Sequence, residues 1–435
     1  MEKFFYIKTY GCQMNFADSH RLISFLVKNG FVQVFSPEQA DIIIVNSCSV
    51  RKHAEDRMFG YLNSLKPLKK KGKIFCLYGC TANLYGSKIL SKYPFIDVVC
   101  SPNRFFESIK ILQEFSSYKK KVVLQGESNN PFLEEIPNIK NQVSCEVSIT
   151  KGCNNFCSYC VVPYARGKLI SKPPEKILDE VKKLVEKGVK EIVLLGQNVN
   201  EYGKDIGSID FVKLLEEIHK IDGILRIRFL TSHPKDVPEN LISSFKNLPK
   251  LCKHFHLPLQ SGSDKILKLM NRQYTISHYL KIVENVRNFV PDISITSDII
   301  VGFPSETEDD FMETYKFIEK IKFDELFVFK YSPRDGTESS KLKDDVPEEE
   351  KEKRHKLILN LQEKITQQIN QNYKDRVVEI FVEKESYKKK GYLIGKTETN
   401  KPVFFKGDSS EIGKILKVKI LEGFTHFLSG EIFSE

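Results

Sequence analysis

"KGCNNFCSYCVVPYARG", residues 151–167, places three cysteines, Cys153, Cys157 and Cys160, in one short segment. The apolar run just before it, "SCEVSIT", predicts a strand, so the cysteines lie on the loop that follows. Thiolates are soft ligands that suit iron–sulfur clusters or zinc. A structural zinc site usually has four protein ligands, whereas the next cysteine, Cys252, lies 92 residues downstream. Three thiolates would leave one iron of a [4Fe–4S] cluster open to a substrate or cofactor, and the segment predicts such a site.

The same stretch begins a series of alternating strands and helices. Amphipathic segments such as "PPEKILDEVKKLVEKG" separate the strand candidates, which number six. Six βα units predict an incomplete parallel (βα)6 barrel, whose active site lies at the carboxyl ends of its strands. The candidates are "SCEVSIT", "KEIVLLG", "ILRIRFL", "KHFHLPL", "SITSDIIVG" and "ELFVFKY".

The N-terminal third shows the same alternation. "KFFYIKTYG", "ADIIIVNS" and "KIFCLYG" are strand-like, and "ADSHRLISFLVKNG" has helical spacing, so a doubly wound parallel sheet is predicted. Cys12, Cys48 and Cys80 each follow one of these strands, and their thiols can therefore converge at one edge of the sheet. A cysteine at a strand end is often only a small buried apolar residue. That second role is predicted for the remaining cysteines: Cys76, Cys100, Cys145 and Cys252.

The C-terminal part differs from both. After a charged helix, predicted over about Pro347–Asn370, the chain consists of short β-rich runs broken by glycines, which predicts a small barrel. "YKKKGYLIGKTETNKPVFF" interleaves basic and aromatic residues, as RNA-binding barrels do, and we expect this tail to be physically separate from the larger barrel. A linker is predicted over residues 126–141, which include Asn129, Asn130, Pro131 and Pro137.

Composition sets broader limits. A chain of 435 residues is long enough for two or three domains. No apolar run approaches the roughly 18 residues of a membrane span, and we expect a cytoplasmic protein without a membrane partner. The net charge is +10, and residues 1–145 carry 20 Lys and Arg against 12 Asp and Glu. Such a surplus suits a polyanionic partner, although a lysine-rich chain can be basic without binding nucleic acid.

The central motif carries a family resemblance. "CNNFCSYC" resembles the Cys-x3-Cys-x-aromatic-Cys signature of the radical S-adenosylmethionine (SAM) enzymes. In that family the open iron of a [4Fe–4S] cluster binds SAM, and reductive cleavage of SAM gives a 5′-deoxyadenosyl radical that abstracts hydrogen. The resemblance implies that Cys153, Cys157 and Cys160 hold this cluster and that Tyr159 contacts the adenine of SAM.

With the upstream cysteines included, the chain resembles the methylthiotransferases almost from end to end. That family has an N-terminal domain with an auxiliary [4Fe–4S] cluster, implied here for Cys12, Cys48 and Cys80, then a radical SAM domain and a terminal TRAM domain. The implied bounds are 1–125 for the N-terminal domain, 126–141 for the linker, 142–370 for the radical SAM domain and 371–435 for the TRAM domain.

Within the family, the motifs are most similar to the MiaB type, the branch that modifies tRNA at isopentenyladenosine. The relevant segments are "YGCQMN", "SCSVR", "GQNVN", "SHPKD", "HLPLQSGS" and "MNRQYT". The branch that modifies a ribosomal protein usually has Pro-Lys where this chain has Gln13 and Met14, and the branch acting on threonylcarbamoyladenosine usually has Lys at position 13. Ser47 and Glu201 replace a commoner Thr and Ser, and neither is an implied ligand.

Two segments resemble the SAM-binding parts of the superfamily. "LLGQNVN" occupies the place of the segment that holds the SAM amino group, which implies contacts from Gln197 and Asn198. "DIIVGFPSET" resembles the fifth-strand motif that packs on the adenine, with Gly302 permitting close approach.

Other polar residues have roles that the sequence leaves open or ordinary. His254 and His256 share one strand face and could ligate a metal, but we expect them to line the polar barrel interior. Arg334 and Asp335 in "YSPRDGT" either face a substrate or form a surface turn.

The resemblance implies replacement of the C2–H of an adenine by a methylthio group. Because that C–H is not acidic, a carbon-centred radical suits its removal better than a general base does. The implied cofactors are two [4Fe–4S] clusters and SAM. The implied partners are tRNA carrying isopentenyladenosine at position 37 and a flavodoxin- or ferredoxin-type electron donor, and a monomer is expected. The alternatives are the same chemistry on threonylcarbamoyladenosine or on a ribosomal protein and, more remotely, a non-catalytic electron-transfer or RNA-binding protein.

Overall fold

The computed structural model describes residues 3–49, 52–118, 120–128, 132, 135–138 and 142–433. Along the chain it contains a six-stranded parallel sheet, two three-stranded parallel sheets and a closed five-stranded barrel. Asn129, Asn130 and Pro131, on which the linker prediction partly rests, lie outside the described residues. No helix in the described ranges is both long and apolar enough to cross a membrane.

The N-terminal sheet is wholly parallel, with the strand order β2–β1–β3–β4–β5–β6. Its strands are β1 Lys3–Tyr10, β2 Phe31–Gln33, β3 Ile42–Ser47, β4 Ile74–Gly79, β5 Val98–Cys100 and β6 Val122–Leu124. The helices are α1 Gln13–Lys28, α2 Lys52–Leu65, α3 Cys80–Tyr85, α4 Ser87–Lys92 and α5 Phe105–Tyr118.

Successive residues of a strand point to opposite faces of its sheet, and each face here has its own core. Ile44 of β3 packs in the core that includes side chains of α1 and α5, whereas Ile43 packs with those of α2 and α4. The doubly wound prediction is therefore confirmed. Cys76 and Cys100 belong to the first of these cores, and burial raises the pKa of both thiols.

All six strands predicted for the central barrel are present, as the sheets β11–β10–β7 and β12–β13–β14. A parallel bridge between Ile227, in the first of these sheets, and Leu251, just before the second, connects the two. The strands are β7 Ser144–Ser148, β8 Thr150–Lys151, β9 Ile170–Ser171, β10 Glu191–Leu195, β11 Arg226–Phe229, β12 His254–His256, β13 Ser294–Val301 and β14 Glu325–Lys330. The helices are α6 Val162–Arg166, α7 Pro174–Glu186, α8 Phe211–His219, α9 Glu239–Asn247, α10 Asp264–Leu269, α11 Ile276–Phe289 and α12 Glu308–Ile321.

A long helix, α13 Glu348–Gln371, leads to the C-terminal barrel, whose strand order is β15–β16–β17–β19–β18. Its strands are β15 Val377–Glu385, β16 Tyr392–Thr397, β17 Pro402–Lys406, β18 Ile415–Gly423 and β19 Leu428–Ile432. Pro347 precedes the first turn of α13, where a missing N–H costs nothing. The small barrel is therefore as predicted.

The C-terminal barrel is not separate from the larger one, so that expectation is wrong. Arg226 on β11 donates to the carbonyl oxygens of Lys396 and Glu379, at 2.5 and 3.1 Å. Arg228, two residues along the same strand, donates to those of Thr397 and Glu398. Both guanidinium groups are buried, and hydrogen bonds from charged donors are stronger than neutral ones. These contacts therefore hold the small barrel against the amino-terminal side of the central barrel.

Candidate iron–sulfur sites

The carboxyl ends of three neighbouring strands bring the N-terminal cysteines together. Tyr10 of β1 pairs with Ser47 of β3, which pairs in turn with Gly79 of β4, so the three residues form one row across the sheet. Each cysteine of the predicted site follows this row within two residues: Cys12, Cys48 and Cys80. The expected convergence at one sheet edge is therefore what the structure shows.

Two glycines allow the cysteines to approach one another. Gly11 has a φ of +146°, and a Cβ added there would lie 2.5 Å from the Cβ of Cys48. Gly79 has a φ of +98°, and its Cβ would lie 2.3 Å from Asn46 Oδ1 and 2.4 Å from the Ser47 carbonyl oxygen. Any side chain at either position would push the strand ends apart.

The three thiols interact directly. The Cys48 thiol hydrogen-bonds with those of Cys12 and Cys80, which lowers the pKa of both neighbours despite their burial. The same hydrogen bonds raise the pKa of Cys48. The positive charge of Arg166 further lowers the pKa of Cys12 and Cys80. This edge of the sheet thus favours negative charge on the sulfurs of Cys12 and Cys80.

Arg166 comes from the central domain. Its Nε donates to Cys80 Sγ at 3.2 Å and its Nη2 to Asp18 Oδ2 at 2.9 Å. Its Nη1 is buried and has no hydrogen-bond partner among the described residues. A buried N–H without a partner costs about 1–3 kcal/mol, and a cluster sulfide is an acceptor that would satisfy it. The donors at this edge therefore fit an anionic iron–sulfur cluster.

No group of three His, Cys, Asp or Glu side chains in the described part of the chain is arranged to hold a single metal ion. A four-iron cluster binds three protein thiolates at three different irons, so its site does not need three ligands arranged around one ion. The convergence of three thiols is therefore the relevant observation for an iron–sulfur site.

The second set of cysteines lies on a loop framed by the short β8–β9 pair, which the sequence did not predict. Gly152 has a φ of +74°, and a Cβ there would lie 1.9 Å from the Lys168 carbonyl oxygen. The Cys153 N–H donates to the carbonyl oxygen of Gly167 at 3.2 Å, and the Cys160 N–H to that of Cys157 at 2.9 Å. The loop is folded back on itself, which places its three thiols in one region.

A second buried arginine, Arg272, contacts this loop. Arg272 Nη1 donates to Cys157 Sγ at 3.2 Å and lies 3.4 Å from the Tyr159 hydroxyl, while Nη2 donates to the Pro258 carbonyl oxygen at 3.0 Å. Burial raises the pKa of the Cys153 thiol to about 11 and that of Cys160 to about 12. Thiolate ligands that are buried away from water need nearby positive charge, which Arg272 and a bound metal cluster would supply.

Unsatisfied polar atoms gather at the carboxyl ends of the barrel strands. Gln197 Oε1, Asn198 Oδ1 and both polar side-chain atoms of Asn200 are buried and have no hydrogen-bond partner among the described residues. The same holds for other side-chain oxygens at these strand ends: Thr150 Oγ1, Ser232 Oγ and Gln260 Oε1. Native structures leave few buried polar atoms without a hydrogen-bond partner. The grouping of these atoms at the strand ends therefore indicates the binding site of a polar ligand.

The backbone at this end of the barrel is also unusual. Thr231 and Gln260, which follow the ends of β11 and β12, have φ values of +67° and +73°. A non-glycine residue in this region costs about 1–3 kcal/mol, and such strain clusters at functional sites. Nothing in the residue types at these positions signals the strain.

Other predicted site residues have ordinary surroundings or new partners. Tyr159 packs against a small core that includes Phe303 and Tyr331. The space that Gly302 leaves is filled by Lys351, since a Cβ at Gly302 would lie 2.3 Å from Lys351 Cγ. The contacts of Tyr159, Gln197, Asn198 and Gly302 with SAM stay predictions.

The two barrel histidines are joined by one hydroxyl. His254 Nε2 and His256 Nδ1 both lie 3.0 Å from Thr296 Oγ1, and His256 Nε2 lies 3.2 Å from Asp298 Oδ2. They form a polar network in the barrel interior, as expected. Arg334 is buried and pairs with Glu55 of the N-terminal domain, Nη1 to Oε2 at 3.2 Å, so it is part of a domain interface and not of a surface turn.

Three family models match the chain in order. They are Uncharacterized protein family UPF0004 over residues 4–101, the Radical SAM superfamily over 147–318 and the TRAM domain over 371–433. Among solved structures, the radical S-adenosylmethionine methyltransferase TsrM from Kitasatospora setae is similar with a TM-score of 0.59 and 11% identity, over 78% of this chain and 74% of that one. At this identity the likeness shows the fold alone.

Curated relatives are much more similar in sequence. Proteins named tRNA-2-methylthio-N(6)-dimethylallyladenosine synthase share 45% identity in Thermodesulfovibrio yellowstonii, over 99% of this chain and 98% of the relative. In Thermoanaerobacter sp. (strain X514) the identity is 44%, over 99% of this chain and 92% of the relative. With that identity over nearly its whole length, the chain belongs to the family of tRNA-2-methylthio-N(6)-dimethylallyladenosine synthases, radical SAM enzymes that transfer a methylthio group.

Proposed function

We propose that this chain adds a methylthio group to C2 of N6-isopentenyladenosine at position 37 of tRNA. The observation that carries the proposal is the presence of two three-cysteine sites, each contacted by a buried arginine, of which Arg166 reaches its site across the domain interface. A protein that only transfers electrons would not need three-thiol sites that leave an iron open. Within the proposal, the domain bounds are 1–125, 142–370 and 371–435, with a linker over 126–141.

Each site has a distinct part. Cys153, Cys157 and Cys160 would hold the radical SAM cluster, and Cys12, Cys48 and Cys80 the auxiliary cluster. When bound, the clusters and SAM supply one-electron chemistry and sulfur, which suit a C–H bond that no side chain could deprotonate. The unpartnered amide and hydroxyl groups at the barrel strand ends would bind the polar parts of SAM, including Gln197 and Asn198.

The contact between the N-terminal domain and the central barrel supports a reaction site shared by the two. Met14, directly after the first site, packs with Leu195 at the end of β10, so the N-terminal edge lies against the mouth of the barrel. Ser148 Oγ lies 3.2 Å from Met14 Sδ across the same interface. A target base held where the N-terminal edge meets the mouth of the barrel would lie near both sites, and the apolar contacts exclude solvent from this region.

The partners follow from the proposed chemistry. The substrate is tRNA, supported by the TRAM domain match and by the basic N-terminal part of the chain. A flavodoxin- or ferredoxin-type protein would supply electrons. We further propose a cytoplasmic location, where tRNA is modified, and a monomer.

The direct experiment is anaerobic turnover of reconstituted enzyme with SAM, a reductant, a sulfur source and tRNA that carries isopentenyladenosine. Nucleoside mass spectrometry should show the 2-methylthio product. Matched tRNAs with unmodified adenosine or threonylcarbamoyladenosine at the same position should give far less. Methylthiolation of the threonylcarbamoyladenosine substrate at an equal or higher rate would contradict the proposed acceptor.

A further inference from the structure

Arg166 is placed unusually for a residue of the radical SAM loop. It ends α6, six residues after Cys160, yet its guanidinium leaves its own domain and contacts the other one. The side chain is about 3% exposed, and its ion-pair partner Asp18, on α1, is about 5% exposed. The contact with Cys80 Sγ, at 3.2 Å, spans 86 positions of sequence.

The segment that carries Arg166 is clamped from both sides. Asn83 of α3 donates from Nδ2 to the Ala165 carbonyl oxygen at 2.9 Å, and Asn103 Nδ2 donates to that of Arg166 at 3.3 Å. The next residue, Gly167, accepts from the Cys153 N–H. One short segment therefore holds a cysteine of the radical loop on one side and a thiol of the N-terminal site on the other.

The guanidinium of Arg166 does more than form an ion pair with Asp18. Arginine–carboxylate pairs frequently use two parallel N–H groups. Here Nη2 alone donates to Asp18, Nε is directed to sulfur, and Nη1 has no partner among the described residues. Two neighbouring cations, Arg21 and Lys172, pair with Glu180. The orientation of Arg166 is therefore directed at the thiol site.

We propose that Arg166 is a positioning residue of the auxiliary cluster, which fixes the site to the radical SAM domain and raises the reduction potential of the cluster. The inference rests on the proposed assignment of Cys12, Cys48 and Cys80 as ligands. Hydrogen bonds to ligand sulfur and nearby net charge are two of the factors that set iron–sulfur potentials. An N–H donor and a positive charge both stabilise the reduced, more negative cluster.

The test measures the auxiliary cluster by itself. In the full chain with Cys153, Cys157 and Cys160 all changed to Ala, only the N-terminal site should assemble a cluster. Its midpoint potential is followed by electron paramagnetic resonance in a redox titration. In this background R166Q should shift the potential to more negative values, and R166K, which keeps the charge but removes the Nε donor, should shift it less.

Arg334→Gln is the matched control. Arg334 is also a buried arginine that pairs with a carboxylate across the same two domains, at 3.2 Å from Glu55, and its contact seen in the described part of the chain is to this carboxylate and not to sulfur. If Arg166 only held the domains together, both variants would change the potential alike, and that result would overturn the proposal. The expected result is a shift in R166Q and none in R334Q.

Two further outcomes are decisive. An unchanged potential in R166Q, with the cluster intact, refutes the inference while leaving the ligand assignment standing. If R166Q assembles no cluster, the midpoint potential is measured in R166K. An unchanged potential in R166K also refutes the inference. A background variant that binds no iron at all contradicts the assignment of the three N-terminal cysteines, and with it the proposed function.

Discussion

Arg228 Nη2 donates to the Thr397 carbonyl oxygen at 2.7 Å, across the interface between the central and C-terminal barrels. The same guanidinium donates from Nε to Glu191 Oε2 at 2.8 Å, so it is held on both sides. Lys401 of the small barrel pairs with Asp324 at 2.8 Å nearby. The C-terminal barrel is therefore an integral part of the folded chain, and not a tethered module.

Deleting residues 371–435 should consequently destabilise the central domain. The deletion removes four hydrogen bonds that Arg226 and Arg228 donate to carbonyl oxygens, and it exposes to water the face of the central barrel that carries them. A hydrogen bond to a charged group contributes about 1.5–3 kcal/mol. We expect a clearly lower melting temperature for the truncated chain and weaker SAM cleavage at the same temperature. A truncated chain that melts like the full one would contradict the integral role of this interface.

Point changes on the exposed loop of the small barrel test RNA binding without that damage. Tyr387 is 85% exposed, and Lys388 and Lys390 follow it closely in the sequence. Changing all three to Ala should weaken tRNA binding and reduce the slope of log affinity against log salt by about 1 for each phosphate that is no longer bound. Ala at Lys213 and Lys220, which pair with acids on the outer helix α8, should leave binding unchanged. Equal effects from both sets would refute a specific role for the loop.

The approach of the strand ends at Gly79 can be tested with a matched glycine. Gly79→Ala places a Cβ 2.3 Å from Asn46 Oδ1, next to Cys80, whereas a Cβ at Gly72 meets nothing within 4 Å. Both glycines have positive φ, at +98° and +78°, so both variants carry backbone strain of about 1 kcal/mol or more. After reconstitution, Gly79→Ala should bind only about half of the iron, whereas Gly72→Ala should bind all of it. Full iron in the first variant would count against the proposed auxiliary site.

Replacing a buried polar side chain that has no hydrogen-bond partner at the mouth of the barrel should raise the stability of the chain and weaken ligand binding. Asn200 is 6% exposed, and neither polar atom of its side chain has a partner among the described residues. Asn200→Leu removes that cost and should stabilise the cofactor-free chain by about 1 kcal/mol. SAM binding, measured by equilibrium dialysis, should weaken. A variant that is more stable and binds SAM as well as the parent would show that Asn200 has no part in the ligand site.

The positions of the cysteines could be predicted because they depend on strand order. Parallel strands place their carboxyl ends at one edge, and β1, β3 and β4 are neighbours in the sheet, so Cys12, Cys48 and Cys80 had to lie close together once the strands were recognised. The six barrel strands were recognisable because short β-rich segments alternate with amphipathic helical segments. These features are local patterns combined with one topological rule.

The arginines could not be predicted in this way. Arg166 reaches Cys80, Arg272 reaches Cys157 and Arg334 reaches Glu55 over 86, 115 and 279 positions of sequence. No periodicity connects such residues, because their contacts depend on how whole domains pack. The one available signal was position, since Arg166 follows the cysteine motif directly in "PYARG" and Arg272 lies in "MNRQYT".

The two cysteine sites are proposed to have different functions, since one holds the cluster that cleaves SAM and the other holds the auxiliary cluster. Changing one cysteine of the auxiliary site tests the two functions separately. Cys48→Ala should keep the fold and about four irons, and should still convert SAM to 5′-deoxyadenosine with a reductant. Cys76→Ala is the matched control, because Cys76 is a buried cysteine of the same sheet outside the thiol cluster and its replacement should cost only about 1–2 kcal/mol. Nucleoside mass spectrometry should find the 2-methylthio product with Cys76→Ala and none with Cys48→Ala. Methylthiolated adenosine made by folded Cys48→Ala enzyme would contradict the account.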